Sequence, residues 1–297
     1  MAPPSIGYLA HAPSPDALVP FRQALRDRGW VEGRSVAIAY RYARGKDERF
    51  PELATELVRQ GVEVILADGA AAVTAARGAS ATVPIVMILV GDPVAAGLVA
   101  RLARPGANIT GVSTFSPDAS GRRLALLGQV VPRLSTLAIL WDPKNRATLS
   151  DVGATQAAAH ARGLRVVLVE VPGPRDVENI FAAMKQAGAE ALLVLEPVGP
   201  VYQKRIASTA LKRRVPTFWT QGELLDLGGV LAYGAGTGDL FRRAAALVDR
   251  ILRGAAAADL PVERAARFEL TVNLATARAL GLAMPRELYT RADRVVR

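Results

Sequence analysis

The chain has 297 residues, of which 51% are hydrophobic and 22% are charged, which excludes a disordered or fibrous protein and leaves room for two α/β cores. Lys and Arg total 37 against 27 Asp and Glu, but the net charge of +10 is dispersed along the chain without a long basic run, so we expect no nucleic-acid partner. The absence of cysteine excludes disulfides and thiol chemistry, and the two histidines have no partners at the spacing of a metal site or a catalytic triad, so we expect no metal, no cofactor and no enzymatic activity.

The first half of the chain alternates short apolar runs with longer helical patterns, which is typical of βαβ units around a buried parallel sheet. The apolar runs predict strands at residues 6–10, 36–40, 64–66, 85–89 and 109–112. The helical patterns between them predict helices at residues 17–28, 50–60, 70–77 and 93–102. The five strands together make one sheet.

The second half repeats this plan. Its apolar runs predict strands at residues 137–141, 165–171, 191–195, 217–219 and 230–233. After them the pattern predicts a helix at 239–253, a linker, a strand at 268–272, a helix at 274–280 and a polar tail. Gly61–Ile65 parallels Gly188–Leu192 in sequence, and Thr82–Ile85 parallels Arg214–Thr217 at a similar offset. The sequence therefore predicts two similar, doubly wound α/β lobes with parallel sheets.

Ligands of open parallel sheets bind outside the carboxyl ends of the strands, where loops and helix N-termini meet. Asp68, Gly69 and Ala70 pass there from a strand to a helix, so their backbone N–H groups are candidates for holding a carboxylate, with tight helix packing as the alternative. The aromatic residues predicted at strand ends suit a ligand with an apolar or aromatic body, with core packing as the alternative. The residues that we assign to ligand binding are His11, Asp16, Asp68, Gly69, Ala70, Asp92, Phe115, Ser116, Asn145, Glu196, Tyr202, Trp219, Glu223 and Tyr233.

Other types of site have weaker support in the sequence. The run Gly234–Gly238 is rich in glycine but lacks the full spacing of a dinucleotide-binding turn. Glu196 and Glu223 are conceivable as an acid/base pair, but acids scattered over loop ends are also usual in binding clefts. The longest apolar stretch, residues 83–90, is far shorter than the roughly 20 residues that span a bilayer, so no transmembrane helix is expected.

Five segments, in chain order, resemble one protein family. They are Phe21–Arg34, Pro51–Ala54, Val90–Val99, Leu102–Gly111 and Phe268–Leu274, and they resemble the tryptophan/tyrosine-type group of ABC-transporter substrate-binding proteins. The most specific signal is the combination of Gly91-Asp92-Pro93-Val94 with the Arg-Pro-Gly-x-Asn-x-Thr-Gly motif of residues 104–111. In one departure, Asp68-Gly69-Ala70 stands where the family often has Gly-Gly-Thr, which is expected to weaken carboxylate binding there.

The resemblance implies a type I periplasmic-binding fold in which the chain crosses three times between two lobes. The lobes are expected at residues 1–113 plus 235–258 and at 114–234 plus 259–297, with hinge segments near 113–115 and 233–236. The implied protein is a periplasmic monomer, peripheral to the membrane, whose signal peptide has been removed. It captures an amino acid or an aromatic small molecule by closure of the lobes and delivers it to an ABC permease and its ATPase.

Two other functions remain as alternatives. The effector-binding domain of a sugar-repressor-like transcription regulator has the same fold, but it would need a helix-turn-helix before the first strand, and only five residues precede Ile6. An enzyme of doubly wound fold is the third candidate. A signal peptide, a DNA-binding headpiece or turnover of a substrate would discriminate between the three functions.

Overall fold

The computed structural model describes residues 3–13, 15–171, 177–195 and 200–297. The chain divides into two compact units, unit 1 with residues 1–114 and 237–266, and unit 2 with residues 115–236 and 267–297. The chain therefore passes between the units three times, after Thr114, Gly236 and Ala266. The second segment of unit 1 runs past the boundary expected at 258, because the short strand Glu263–Arg264 pairs within the sheet of unit 1.

The described strands are β1 (Ser5–Ala10), β2 (Ala37–Tyr42), β3 (Val64–Asp68), β4 (Ile85–Val90), β5 (Ile109–Ser113), β6 (Thr136–Trp141), β7 (Arg165–Glu170), β8 (Ala191–Val194), β9 (Thr217–Trp219), β10 (Leu231–Ala235), β11 (Glu263–Arg264), β12 (Phe268–Asn273) and β13 (Arg294–Val296). The described α-helices are α1 (Pro15–Arg26), α2 (Phe50–Arg59), α3 (Ala70–Ala79), α4 (Pro117–Val130), α5 (Leu149–His160), α6 (Val177–Ala187), α7 (Pro200–Lys212), α8 (Thr237–Leu252), α9 (Leu274–Leu280) and α10 (Arg286–Arg291).

The sheet of unit 1 has the order β11-β5-β4-β3-β1-β2, and all its neighbouring strands pair in parallel. The strands β3 and β4 are almost fully buried, which explains why they appear in the sequence as continuous apolar runs. Helices α1 and α8 pack together, with Phe21 in edge contact with Phe241, whereas α2 packs under β1, where Gly7 faces Leu57. Helices thus cover both faces of the sheet, as expected for right-handed crossovers when the strand order changes direction after β2.

The sheet of unit 2 has the order β13-β12-β10-β9-β8-β6-β7. Its pairs are parallel except β10 with β12, which is antiparallel. Helices α4 and α5 bury Leu124, Leu127 and Val152 on one face, and α6 and α7 bury Ile180 and Ile206 on the other face. The central order of five strands in unit 2 is the same as in unit 1, as the internal sequence similarity predicts.

Two segments differ from the sequence prediction. Residues 93–102, predicted as a helix, form turns: the Pro93 carbonyl accepts hydrogen bonds from the backbone N–H groups of Leu98 and Val99, and Gly97 has a left-handed φ of 68°. Two of the apolar residues whose spacing predicts a helix here are instead buried from within the turns: Leu98 and Val99. The predicted polar tail contains α10 and β13, which extends the sheet by pairing with β12.

Candidate functional site

The carboxyl edge of the unit 1 sheet is formed by the loops that follow β1, β3, β4 and β5. Asp68 is the last residue of β3, and Gly69 separates it from the first residue of α3, Ala70. Gly69 has φ 85° and ψ 159°, a conformation that a residue with a side chain rarely adopts, so glycine permits the abrupt turn from strand to helix. Asp68, Gly69 and Ala70, which the sequence assigns to ligand binding, therefore lie at the carboxyl edge of the sheet.

Asp68 is partly buried and accepts a hydrogen bond of 3.0 Å from the hydroxyl of Tyr8 to its Oδ2 atom. Burial raises the pKa of Asp68 to about 6, and the hydrogen bond from Tyr8 acts in the opposite direction. Burial and the Asp68 carboxylate raise the pKa of Tyr8 well above its usual range. Tyr8 therefore remains a protonated donor, and Asp68 is mostly ionised at neutral pH.

Two further tyrosine rings pack against the ring of Tyr8. The rings of Tyr40 and Tyr42 lie edge-on to that of Tyr8, with centroids 6.1 and 6.2 Å away, and they stack on each other. They share a face because Tyr8 is in register with Tyr40 across β1 and β2, and side chains two residues apart in a strand point the same way. This cluster was not predicted from the sequence, although the Tyr-x-Tyr ending of β2 is a signal that could identify it.

An ion pair fixes the position of Tyr40 in this cluster. Arg22 on α1 donates a 2.8 Å hydrogen bond to the Tyr40 hydroxyl, which donates in turn to Glu32 over 2.7 Å. Arg22 also pairs with Glu32 at 2.9 Å, and its guanidinium lies 5.6 Å from the ring centroid of Tyr40. Burial raises the pKa of Tyr40 to about 12. The hydroxyl and ring face of Tyr40 are thus occupied by protein groups.

The other residues assigned to unit 1 lie elsewhere on the edge. The His11 ring packs edge-on against Phe50 at 4.8 Å, and its Nδ1 atom is 3.4 Å from Asp47, so His11 points to the α2 side. Asp16 is exposed in the first turn of α1. The Asp92 carboxylate accepts hydrogen bonds from the backbone N–H groups of Val94 and Ala95, so it stabilises the turn that replaces the predicted helix.

In unit 2, the polar residues assigned to the site stand at loop ends. The Asn145 side chain accepts a 3.2 Å hydrogen bond from the backbone N–H of Ala147 and so begins a short 3-10 turn after β6. Phe115 and Ser116 are partly buried just before α4, and Glu223 is exposed after β9. Glu196 lies outside the described residues.

The aromatic residues assigned to unit 2 are mostly buried. Trp219 is 1% exposed and Tyr202 is 4% exposed, and both belong to one hydrophobic cluster under the sheet, where the Trp219 indole N–H points to the Thr217 hydroxyl. Trp219 and Tyr202 therefore lie in the core, which is the alternative considered for each aromatic residue. Tyr233 lies at the carboxyl end of β10, where its ring stacks on Phe268 at 6.0 Å.

A buried charged network holds the backbone of Tyr233. The Arg123 Nε atom donates a 3.1 Å hydrogen bond to the Tyr233 carbonyl, and Arg123 Nη1 lies 3.3 Å from the Asp151 carboxylate. Ser120 donates a hydrogen bond to the same carboxylate. This network joins α4 and α5 to the last residues of β10, which precede the second crossing between units.

Within the parts of the chain that the structure describes, no group of three or more His, Cys, Asp or Glu side chains has the arrangement of a metal site. None of the helices in those same parts has both the length and the hydrophobicity that crossing a membrane requires.

Comparison with known proteins gives matches along almost the whole chain. The family model described as ABC transporter substrate binding protein matches residues 8–296. A tyrosine-binding protein of Clostridioides difficile (strain R20291) is 24% identical over 281 residues, which cover 93% of this chain and 80% of that protein.

Solved structures resemble the fold. The ABC domain in complex with L-Trp from Streptococcus pneumonia is 22% identical and has a TM-score of 0.89, covering 99% of this chain and 100% of that chain. A leucine binding protein of Thermotoga maritima is 12% identical with a TM-score of 0.61, covering 86% of this chain and 85% of that chain. The architecture is therefore that of type I periplasmic-binding proteins.

Proposed function

Because the chain belongs to the family of ABC transporter substrate-binding proteins, we propose that it captures an aromatic amino acid outside the cytoplasmic membrane and delivers it to a membrane permease with its ATPase. The observation that carries this proposal is the family match over residues 8–296, which includes both units and all three passages of the chain between them. The same match favours a transport receptor over the regulator considered from the sequence.

The ligand class is supported from two sides. The tyrosine-binding relative from Clostridioides difficile suggests an aromatic amino acid. Independently, the carboxyl edge of unit 1 presents the partly exposed Tyr42 ring and the Asp68 carboxylate, an apolar surface beside a polar group, which suits a ligand with an aromatic body and a polar end. A receptor of this type performs no chemical reaction on its ligand, so we propose that the protein is not an enzyme.

Lobe closure is the capture mechanism that we propose. A ligand shifts the population toward whichever conformation it binds more tightly. Saturation with ligand is therefore expected to lower the radius of gyration measured by small-angle X-ray scattering. An unchanged radius with bound ligand would contradict closure.

A thermal-shift screen tests the function. The panel is L-tyrosine, L-tryptophan, L-phenylalanine, L-leucine, benzoate and a set of sugars. A ligand at 100 times its Kd adds about 2.7 kcal/mol to the stability of the folded state, so an aromatic amino acid is expected to raise the melting temperature by several degrees. Stabilisation by a sugar, with none by the amino acids or benzoate, would overturn the proposal and favour the regulator.

A further inference from the structure

Asp68 is a carboxylate that the fold leaves without a cation. Among the described residues its hydrogen-bond partner is Tyr8, and no Lys, Arg or His side chain of those residues forms an ion pair with it. Each carboxylate can accept several hydrogen bonds, and a partly buried one that lacks them carries a desolvation cost. Asp68 therefore retains capacity for a further donor.

Asp68 stands at the carboxyl edge of the unit 1 sheet. Asp68 ends β3, and Tyr42 ends β2 on the same face of the sheet, since both are in phase with Tyr8. The Tyr42 ring is partly exposed, and its hydroxyl makes no hydrogen bond to any residue that the structure describes. A carboxylate beside tyrosine rings suits a positively charged group, because the carboxylate supplies charge and the ring faces supply cation–π attraction.

Arg22 does not neutralise the charge of the Asp68 carboxylate. Arg22, a cation that contacts the tyrosine cluster, is engaged by Glu32 and the hydroxyl of Tyr40. Its guanidinium lies over Tyr40 rather than beside Asp68. A carboxylate of the ligand would meet like charge at Asp68, so that part of the ligand is repelled from this position while an ammonium group is attracted.

We propose that Asp68 is a specificity-determining residue that accepts the protonated amino group of the ligand, with Tyr42 beside it. The inference rests on the proposed function, because it assigns one end of the ligand that the receptor captures. It predicts that the protein selects aromatic compounds with a primary amine over their deaminated analogues. The amine can belong to an amino acid or to an amine without a carboxylate, which the test separates.

The test is isothermal titration calorimetry with L-tyrosine, tyramine and 3-(4-hydroxyphenyl)propanoate, which differ only in the amine and the carboxylate. The native protein is expected to bind L-tyrosine at least ten-fold more tightly than the propanoate. Asp68→Asn removes the charge while keeping the shape, so it is expected to weaken binding of both amines by about 10- to 100-fold and to leave the propanoate unchanged or tighter. Tyramine binding close to that of L-tyrosine identifies an amine receptor, and loss of tyramine binding identifies an amino-acid receptor.

Asp27→Asn is the matched control. Asp27 is an exposed aspartate just after α1, at the end of that helix opposite to its start near the carboxyl edge, so all three affinities are expected to stay unchanged. Tyr8→Phe is a second, independent variant that keeps the Asp68 carboxylate. It removes the hydrogen bond that holds Asp68, and a several-fold loss for the amines is expected without a loss for the propanoate.

Equal losses for amines and propanoate in Asp68→Asn, or none for either, would overturn the role of Asp68. Tight binding of an aromatic acid without an amine would also overturn it, while the proposed receptor function would stand. Absence of binding by the native protein to all aromatic compounds would instead overturn the proposed ligand class, and the inference with it.

Discussion

At two positions, Asp68 and Gly111, the surrounding structure determines how a substitution changes the stability of the folded state. Asp68 loses water on folding and gains one hydrogen bond, from Tyr8, so its carboxyl group is easier to protonate in the folded state than in the unfolded chain. Gly111 passes so close to Met87 that a Cβ atom at Gly111 would lie 2.2 Å from the Met87 carbonyl oxygen. At both positions the direction in which a substitution changes the free energy of unfolding can therefore be predicted.

The first prediction concerns the pH dependence of Asp68→Asn. The folded-state pKa of about 6 exceeds the unfolded value of 3.8, so the folded state binds more protons between these values and its stability falls as pH rises through that window. Asparagine at position 68 carries no charge, so the variant does not lose this stability as the pH rises. The variant is expected to be more stable than the native protein by up to about 3 kcal/mol above pH 7, and equal to it below about pH 3. Urea unfolding at several pH values measures this difference, and a difference independent of pH would contradict the prediction.

The second prediction concerns Gly111→Ala, within the Arg-Pro-Gly-x-Asn-x-Thr-Gly motif. Gly111 has φ 145°, and the added methyl group would collide with the backbone of Met87 in the neighbouring strand. A loss of about 3 kcal/mol or more is expected in thermal unfolding. Gly128→Ala is the control, because Gly128 is exposed in α4 and its Cβ would meet no atom within 4 Å, so a gain of about 0.5–1 kcal/mol is expected. Similar effects of the two substitutions would contradict the argument.

At the scale of elements, the end of β10 depends on the helix α4. The strand β9 stops at Trp219, whose partner in β10 is Ala232, so the carbonyl of the next residue, Tyr233, has no strand on that side to donate to it. Arg123 provides the missing donor, and Asp151 on α5 neutralises the Arg123 charge. The network therefore fixes two helices against the strand that leads out of unit 2.

The third prediction is that Asp151→Asn destabilises unit 2. The substitution leaves the Arg123 guanidinium, whose side chain is 4% exposed, without its counter-charge, and a loss of about 2–3 kcal/mol is expected. Glu178→Gln is the control: it breaks the exposed pair with Arg213, for which a change of at most about 0.5 kcal/mol is expected. Melting temperatures from circular dichroism compare the two variants, and equal shifts would contradict the importance of burial.

At the scale of the whole molecule, neither unit is a continuous stretch of chain. Unit 1 needs α8 and β11, which the chain supplies only after the first segment of unit 2, residues 115–236. Helix α8 buries Leu240, Phe241 and Leu247, and Asp249 accepts a 2.8 Å hydrogen bond from the indole of Trp30 in unit 1. Each buried apolar side chain contributes about 1.5–3 kcal/mol, so loss of α8 removes an amount comparable to the whole stability of a domain.

The fourth prediction concerns truncation. A chain that ends at Gly236 lacks α8 and β11 and is expected to lose the protease resistance of unit 1. A chain that ends at Ala266 completes unit 1 and is expected to restore its resistance, while unit 2, without β12, β13, α9 and α10, is digested. Limited proteolysis with mass spectrometry of the fragments measures both. A resistant unit 1 in the shorter chain would show that α8 is dispensable.

The sequence by itself determined most of the strands and the family. Buried strands such as Ile85–Val90 and the helix with Leu240, Leu247 and Ile251 on one face are encoded by hydrophobic periodicity, which depends only on near neighbours in the chain. The same locality explains the error at residues 93–102, where the spacing of apolar residues was that of a helix but Asp92 and Gly97 favoured turns.

Only the tertiary structure decided which side chains meet. Tyr8, Tyr42 and Asp68 belong to three different strands and come together because β1 lies between β2 and β3, an order that no local pattern specifies. It also decided that Trp219, predicted at a strand end like Tyr233, is enclosed in the core of unit 2. The physical reason is that strand order and register depend on the packing of distant segments, whereas propensity and periodicity act within a few residues.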